Sequence, residues 1–316
     1  HIKEFYSELG GNQELHVMIV ADTMTLENML DNTNDAGAKK LIHAGQGKIR
    51  MLSVFRTPPG SYDGGTDFID DDVEAAFLKA KPFAEARLAE LMPIRILIEG
   101  RVENPSAANV LTPTTLSNGY AGAVLGGTLN DGSASVGAVL GRACKYGAHI
   151  KIGKVANGPL SMSSAYIGDE LVEDRLDVAT LHGAGFISFM KQPNKAGYYF
   201  GIDRMASTDD YRLLAHGRVV DKAAVIAAGT YQNDIESEIP VDADGKITEL
   251  AAKALENRLK LAVLNQMADQ ISGVQIIVDR DTDIINTSTL KIKVRVQPLG
   301  YASFIEVELG LTTTLN

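Results

Sequence analysis

The sequence predicts an α/β protein in two parts: a layered α/β N-terminal domain around a mostly parallel sheet (1–207), and a C-terminal α+β domain (208–316). In the second part a long helix packs on a small sheet with an open edge. Three observations predict this. Short apolar runs alternate with helical stretches through the first two-thirds of the chain, the pattern of strands covered on both faces. An amphipathic stretch at 246–270 leads into an apolar strand at 274–278. Two late runs, 290–296 and 304–309, alternate apolar and charged residues, as half-buried antiparallel strands do.

From the start, Phe5 to Leu9 read as the end of a helix stopped by Gly10-Gly11, and 15–20 as an apolar strand. Thr25 caps a short helix, 36–44 forms another closed by Gly45, and 49–54 is a strand. A Pro/Gly/Asp-rich loop (57–65) precedes a helix opened by Asp70-Asp71-Asp72, whose negative charge suits a helix N-terminus. Val73, Phe77, Leu88 and Leu91 are its expected apolar positions, with a break or kink at Pro82. Strands follow at 94–98 and 119–125, then a glycine-rich loop and a helix from Ser133 to about Tyr146. Residues 149–155 read as a strand, 169–181 as a helix, and 185–190 and 198–203 as strands. A helix at 208–228 turns Tyr211, Leu214, Val219, Ala223 and Ile226 inward, and the domain boundary is placed near Ser207.

The end of the chain carries the candidate interaction residues. Lys291, Lys293 and Arg295 share one face of their strand, and Glu306 and Glu308 one face of the next. Pairing about Pro298-Leu299-Gly300 sets Arg295 opposite Glu306 and Lys293 opposite Glu308, each pair contributing roughly 0.2–1 kcal/mol. A small sheet ending in Thr312, Thr313 and Thr314 presents unpaired backbone groups at its edge, which invite a strand from a neighbouring copy.

Composition excludes several classes. With 40 Asp and Glu against 30 Lys and Arg, the net charge of −10 argues against a phosphate-binding surface. No run approaches the ~20 apolar residues of a membrane span, and no signal-peptide pattern is present. The first residue is histidine rather than methionine, so an upstream segment is expected. One cysteine, Cys144, allows neither an internal disulfide nor a CxxC motif, and its apolar surroundings predict a buried, inert thiol.

The motifs for chemistry are incomplete. Asp131, Ser133 and Ser135 spell D-x-S-x-S, hard oxygen ligands suited to Mg²⁺ in an adhesion-type metal site, but a helix start uses the same residues. Ser135 also sits in a near nucleophile elbow, with Asp169 and His182 following in hydrolase order. Ser133 replaces the glycine that the strained turn needs. The Asp242-Ala243-Asp244-Gly245 stretch resembles part of an EF-hand loop but lacks two ligand positions. The six histidines show no metal-ligand spacing. No catalytic, cofactor or metal residue is assigned, and no enzymatic activity is expected.

The order of the parts resembles a known family. Glu4-Phe5-Tyr6 with Gly10-Gly11, the run 134–142, Ile152-Gly153-Lys154-Val155 and Gly197-Tyr198-Tyr199-Phe200 carry the likeness. So do Arg218-Val219-Val220-Asp221-Lys222-Ala223, Asp244-Gly245-Lys246-Ile247 and the end, Pro298-Leu299-Gly300-Tyr301 with Ile305-Glu306-Val307. Together they resemble the sheath subunits of contractile phage tails and prophage-like injection systems. The resemblance implies a virion structural protein, assembled in the bacterial cytoplasm into stacked hexameric rings around a tail tube. Its implied partners are copies of itself, the tube protein, and baseplate and tail terminator proteins, with no nucleic acid, membrane or cofactor. Terminal arms would complete the C-terminal sheets of adjacent subunits, and an N-terminal arm lying before His1 would leave this chain without one donor strand.

Overall fold

A computed structural model describes residues 1–57, 69–102 and 111–303. Helix α1 (Ile2–Leu9) ends at Gly10, whose φ of 66° is a conformation glycine adopts freely. Thr25 accepts a hydrogen bond from the Asn28 N–H and starts α2 (Leu26–Leu30); α3 (Ala38–Ala44) follows. After strand β1 (Met51–Val54), Asp70 caps the long helix α4 (Asp71–Ala89). Then come β2 (Arg95–Gly100), β3 (Ala121–Leu125) and α5 (Val136–Lys145). A small hairpin, β4 (Tyr166–Ile167) with β5 (Glu170–Leu171), precedes α6 (Val178–Ala184), β6 (Phe186–Met190) and β7 (Tyr199–Phe200). The C-terminal part holds α7 (Leu214–Tyr231), α8 (Glu249–Met267), β8 (Ile271–Val278), α9 (Ile284–Thr287) and β9 (Ile292–Pro298).

The main sheet runs in the order β1-β2-β3-β6-β7, parallel through β6 and antiparallel at β7. Every residue of β2 and β3 is buried, as expected of strands covered on both faces. Ile96, Ile98, Val124, Phe186 and Phe83 belong to its core. Helix α1 lies against α5 so closely that a Cβ on Gly141 would stand 2.4 Å from the Phe5 carbonyl oxygen. The buried Glu8–Arg142 pair, at 2.7 Å, fixes that contact. A second core joins Val219, Ala223 and Ile226 of α7 to Leu259, Val263 and Met267 of α8 and to Ile276 of β8.

The two parts are riveted together. Asp221 of α7 accepts hydrogen bonds from Nε and Nη2 of Arg95, at the start of β2, both at 2.8 Å and both buried. The same guanidinium donates to the Gly119 carbonyl and lies over the Tyr120 ring. Gly217 makes room for it: a Cβ there would meet Arg95 Nε at 2.6 Å. Nearby, Asp203 accepts from the Ala215 N–H in the first turn of α7 and pairs with Lys151 at 3.2 Å.

Several local expectations are corrected. Residues 15–20 form no strand, and among the described residues their backbone groups have no hydrogen-bond partner. Residues 149–155 turn rather than extend, because Gly153 approaches the Gly201 carbonyl too closely to carry a side chain. The region 169–181 is mostly hairpin and loop, with helix only from Val178. Gly168, at φ 65°, supplies the tight turn between β4 and β5. Helix α4 runs through Pro82, which sits on its exposed face. Leu88 and Leu91 are 36% and 60% exposed rather than buried, Tyr211 is also exposed, and Cys144 is a surface thiol. Helix α5 starts at Val136 rather than Ser133, and α7 at Leu214 rather than 208.

One buried carboxyl makes stability pH-dependent. Glu99, near the end of β2, accepts from the backbone N–H groups of Arg56 (3.1 Å) and Ala134 (3.4 Å). Burial pushes its pKa up to about 7, against the pull of Arg101 and the two N–H donors, with Asp131 adding repulsion. A folded-state pKa above the unfolded value of 4.5 means the protonated form favours the fold. The contribution is complete below pH 4.5 and disappears as pH rises through 7. Its size is on the order of 3 kcal/mol. Denaturant midpoints measured from pH 4.5 to 8 should therefore show this decline in the wild type, and Glu99→Gln should flatten it.

Candidate assembly surface

The C-terminal ribbon is built from a capped helix. Asp242 accepts from the N–H groups of Asp244 and Lys246, and Gly245, at φ 74°, turns the chain into α8. The Thr248 hydroxyl accepts from the Ala251 N–H and caps that helix. This turn is the role of the EF-hand-like stretch. Beyond α8, β8 and β9 pair antiparallel, with Gln275 opposite Arg295 and Ile277 opposite Lys293.

Register decides which backbone groups are free. The Asp279 N–H donates to the Lys291 carbonyl, so Asp279 and Lys291 form a hydrogen-bonded pair. By alternation, Lys293 and Arg295 also bond inward to β8, whereas Ile292, Val294 and Val296 turn their N–H and C=O groups outward. None of those outward groups has a partner among the described residues. The outer edge of β8 differs, since the Val278 N–H is taken by the carboxylate of Glu256 on α8 at 3.0 Å.

The free edge of β9 borders a groove of about 1870 Å³. Ile292, Val294 and Val296 wall it on one side, Ala224 and Ala228 of α7 on another, and no β8 residue lines it. The exposed Leu88 and Leu91 at the end of α4 extend the apolar lining to the N-terminal part. Lys291, Lys293 and Arg295 all stand exposed along the ribbon, and Arg295 reaches Gln275 at 3.5 Å. The charged residues of this strand share one face, as the alternation predicts, and among the described residues the strand's partner is β8. Glu306, Glu308, Thr312, Thr313 and Thr314, and the expected pairing of 304–309 about the Pro298-Leu299-Gly300 turn, lie outside the described residues.

The other candidate sites are not assembled. Ser133 spends both its N–H and its hydroxyl on Asp131, while Ser135 is buried and donates to Glu4 at 2.5 Å. Asp131, Ser133 and Ser135 therefore do not converge as metal ligands. Among the described residues no cluster of three or more His, Cys, Asp or Glu side chains is arranged to hold a metal. No hydrogen bond links Ser135, His182 and Asp169 either. His182 packs its ring against Gly201, where burial depresses its pKa, and Asp169 sits in the β4–β5 turn. No described helix is long and apolar enough to cross a membrane.

Two buried residues carry a signal that pattern reading passes over. Arg95 interrupts an apolar strand and Asp221 the inward face of a helix, and opposite charges at two such buried positions point to each other. Glu256 carries no comparable signal, because its role depends on which edge of β8 faces α8.

Residues 1–204 match the family described as DUF2586, N-terminal domain, and residues 210–316 match DUF2586, C-terminal domain. No curated protein matches the chain. Among solved structures, the fold is shared with a chain from the cryo-EM structure of the anti-feeding prophage baseplate, 6-fold symmetrised. The TM-score is 0.62 and the identity 14%, over 99% of this chain and 80% of that one. It is shared equally with a chain of the anti-feeding prophage helical sheath in its contracted state, at TM-score 0.60 and 16% identity, over 98% and 80%. At these identities the likeness is one of fold, and it extends over nearly the whole chain.

Proposed function

We propose that this chain, which belongs to the DUF2586 family, is a structural subunit of a contractile tail sheath with no enzymatic activity. It self-assembles into stacked hexameric rings around a tail tube by adding strands between subunits. The observation that carries this reading is the β9 edge, which has no partner among the described residues and lies beside an apolar groove, a surface suited to strand addition. Lys291, Lys293 and Arg295 lie on the accepting ribbon, and the acidic, threonine-tipped segment with Glu306, Glu308 and Thr312–Thr314 is the donor. Its partners are copies of itself, the tube protein and the baseplate and terminator proteins at the ends of the tail. Nucleic acid and membrane are not among them. Assembly takes place in the bacterial cytoplasm and the product resides in the virion tail. The division into 1–207 and 208–316 separates the layered part from the part that exchanges strands.

Negative-stain microscopy over a concentration series tests the proposal. Rings or striated cylinders are expected, and a species that stays monomeric at every concentration overturns it.

A further inference from the structure

A cleft of about 480 Å³ lies between residues 13–18 and β1, the end strand of the main sheet. The Arg95 N–H donates to the Arg50 carbonyl at 3.1 Å. By alternation, Met51 and Ser53, which line the cleft, turn their backbone groups away from β2. Neither those groups nor the backbone of residues 15–18 across the cleft has a hydrogen-bond partner among the described residues. Ile2, Val17 and Phe55 also line the cleft and are exposed, an apolar rim of the kind that marks a contact surface.

The charge of the cleft specifies the occupant. Lys48, Arg50 and Arg218 line it, and Glu14 is the single carboxylate among the lining residues. Arg50 donates to the carbonyl of its neighbour Ile49, and Arg218 to that of Tyr146. The carboxylates whose fields reach them, Asp221 and Asp203, are already paired with Arg95 and Lys151. Burial disfavours the charge on both guanidinium groups, a cost that an incoming carboxylate relieves. The buried Ser53 hydroxyl, which has no partner among the described residues, is a further donor for it.

Because the chain carries a net charge of −10, a second copy meets this basic cleft mainly with acidic surface. One described segment matches it closely. Between α7 and α8, Asp234-Ile235-Glu236-Ser237-Glu238-Ile239 places a carboxylate at every second position. Ile235 is 67% exposed, and Glu236, Ser237 and Glu238 are exposed with it. Asp234 pairs with Arg258, but Glu236 and Glu238 have no cation at ion-pair distance among the described residues. The backbone groups of Glu238 and Ile239 have no partner there either. Cations without carboxylates thus stand on one surface of the chain, and carboxylates without cations on another.

We infer that the cleft receives the 235–239 segment of a second copy, with Glu236 and Glu238 supplying the carboxylates that Arg50 and Arg218 lack. Ile235 then meets the apolar rim. The contact joins two different surfaces of the chain, so it is head-to-tail. It deepens the sheath reading and rests on it for the presence of a neighbouring copy, but it uses a surface other than the β9 edge.

The lone cysteine is a natural reporter, since Cys144 lines the cleft and is exposed. In Ser237→Cys, which keeps both glutamates, a short bismaleimide should link Cys144 of one chain to position 237 of another. Mass spectrometry on a mixture of isotope-labelled and unlabelled protein separates such links from those within one chain. Adding Arg50→Glu or Glu238→Arg should each lower the yield about tenfold. An equimolar mixture of these two variants should restore it, because each supplies the charge the other has reversed, and misfolding is thereby excluded as the cause. Links within one chain only, yields unchanged by either reversal, or a mixture that restores nothing overturn the inference. No link between chains in protein that forms cylinders overturns it and leaves the sheath reading standing. No link in protein that stays monomeric at every concentration overturns both.

Discussion

Asp221→Ala is expected to lower the stability of the chain by about 3–5 kcal/mol, because it leaves the Arg95 guanidinium buried without its counter-charge. Arg95 is 2% exposed and its carboxylate partner 5%, so solvent does little to screen the loss. The effect should appear as a lower denaturant midpoint in equilibrium unfolding. The stack of Tyr120 and the Gly119 carbonyl, which hold the guanidinium in place, prevent it from swinging out to water. Arg95→Met combined with Asp221→Leu removes both charges and should recover most of the loss, since apolar replacements of a buried pair are often neutral or stabilising. If each single variant unfolds like the wild type, the contact between β2 and α7 is not the rivet described above.

Val294→Pro should abolish assembly while leaving a folded monomer. The Val294 N–H points outward, away from β8, so a proline there removes a donor that the ribbon itself does not use. The cost to the monomer is about 1–2 kcal/mol, from the restricted φ and a smaller apolar contact. Arg295→Pro, one residue on, is the control: its N–H faces Gln275, and the β8–β9 pairing should fail with it. Pelleting and microscopy follow assembly, and circular dichroism follows the fold. Polymer formed by Val294→Pro at wild-type levels would mean that the β9 edge is not the accepting one.

The sequence makes the strongly patterned elements legible. Strands β2, β3 and β6 are largely apolar runs too short for helices, and β9 alternates cleanly, so their local pattern and their tertiary environment agree. The misreadings occur where tertiary contacts override that pattern. Residues 15–20 have the composition of a strand, yet no described element pairs with them. The charged stretch 169–177 suits a helix surface, yet it follows a glycine in a left-handed turn, and Arg175 ties Asp177 into a loop at 2.6 Å. The candidate surface was legible in part. Alternation marks Lys291, Lys293 and Arg295 as one face, but the partner of that strand depends on the turn around α9, which no periodicity encodes. The catalytic and metal-binding patterns fail for a common reason: Ser135 and Asp131 serve local turns and the docking of α1.

Glu256 gives the ribbon a direction. With the Val278 N–H already engaged by a carboxylate, and the outward groups of β9 without a partner among the described residues, the two sides of the hairpin are not interchangeable: an added strand would find a full row of backbone groups on one side and an interrupted row on the other.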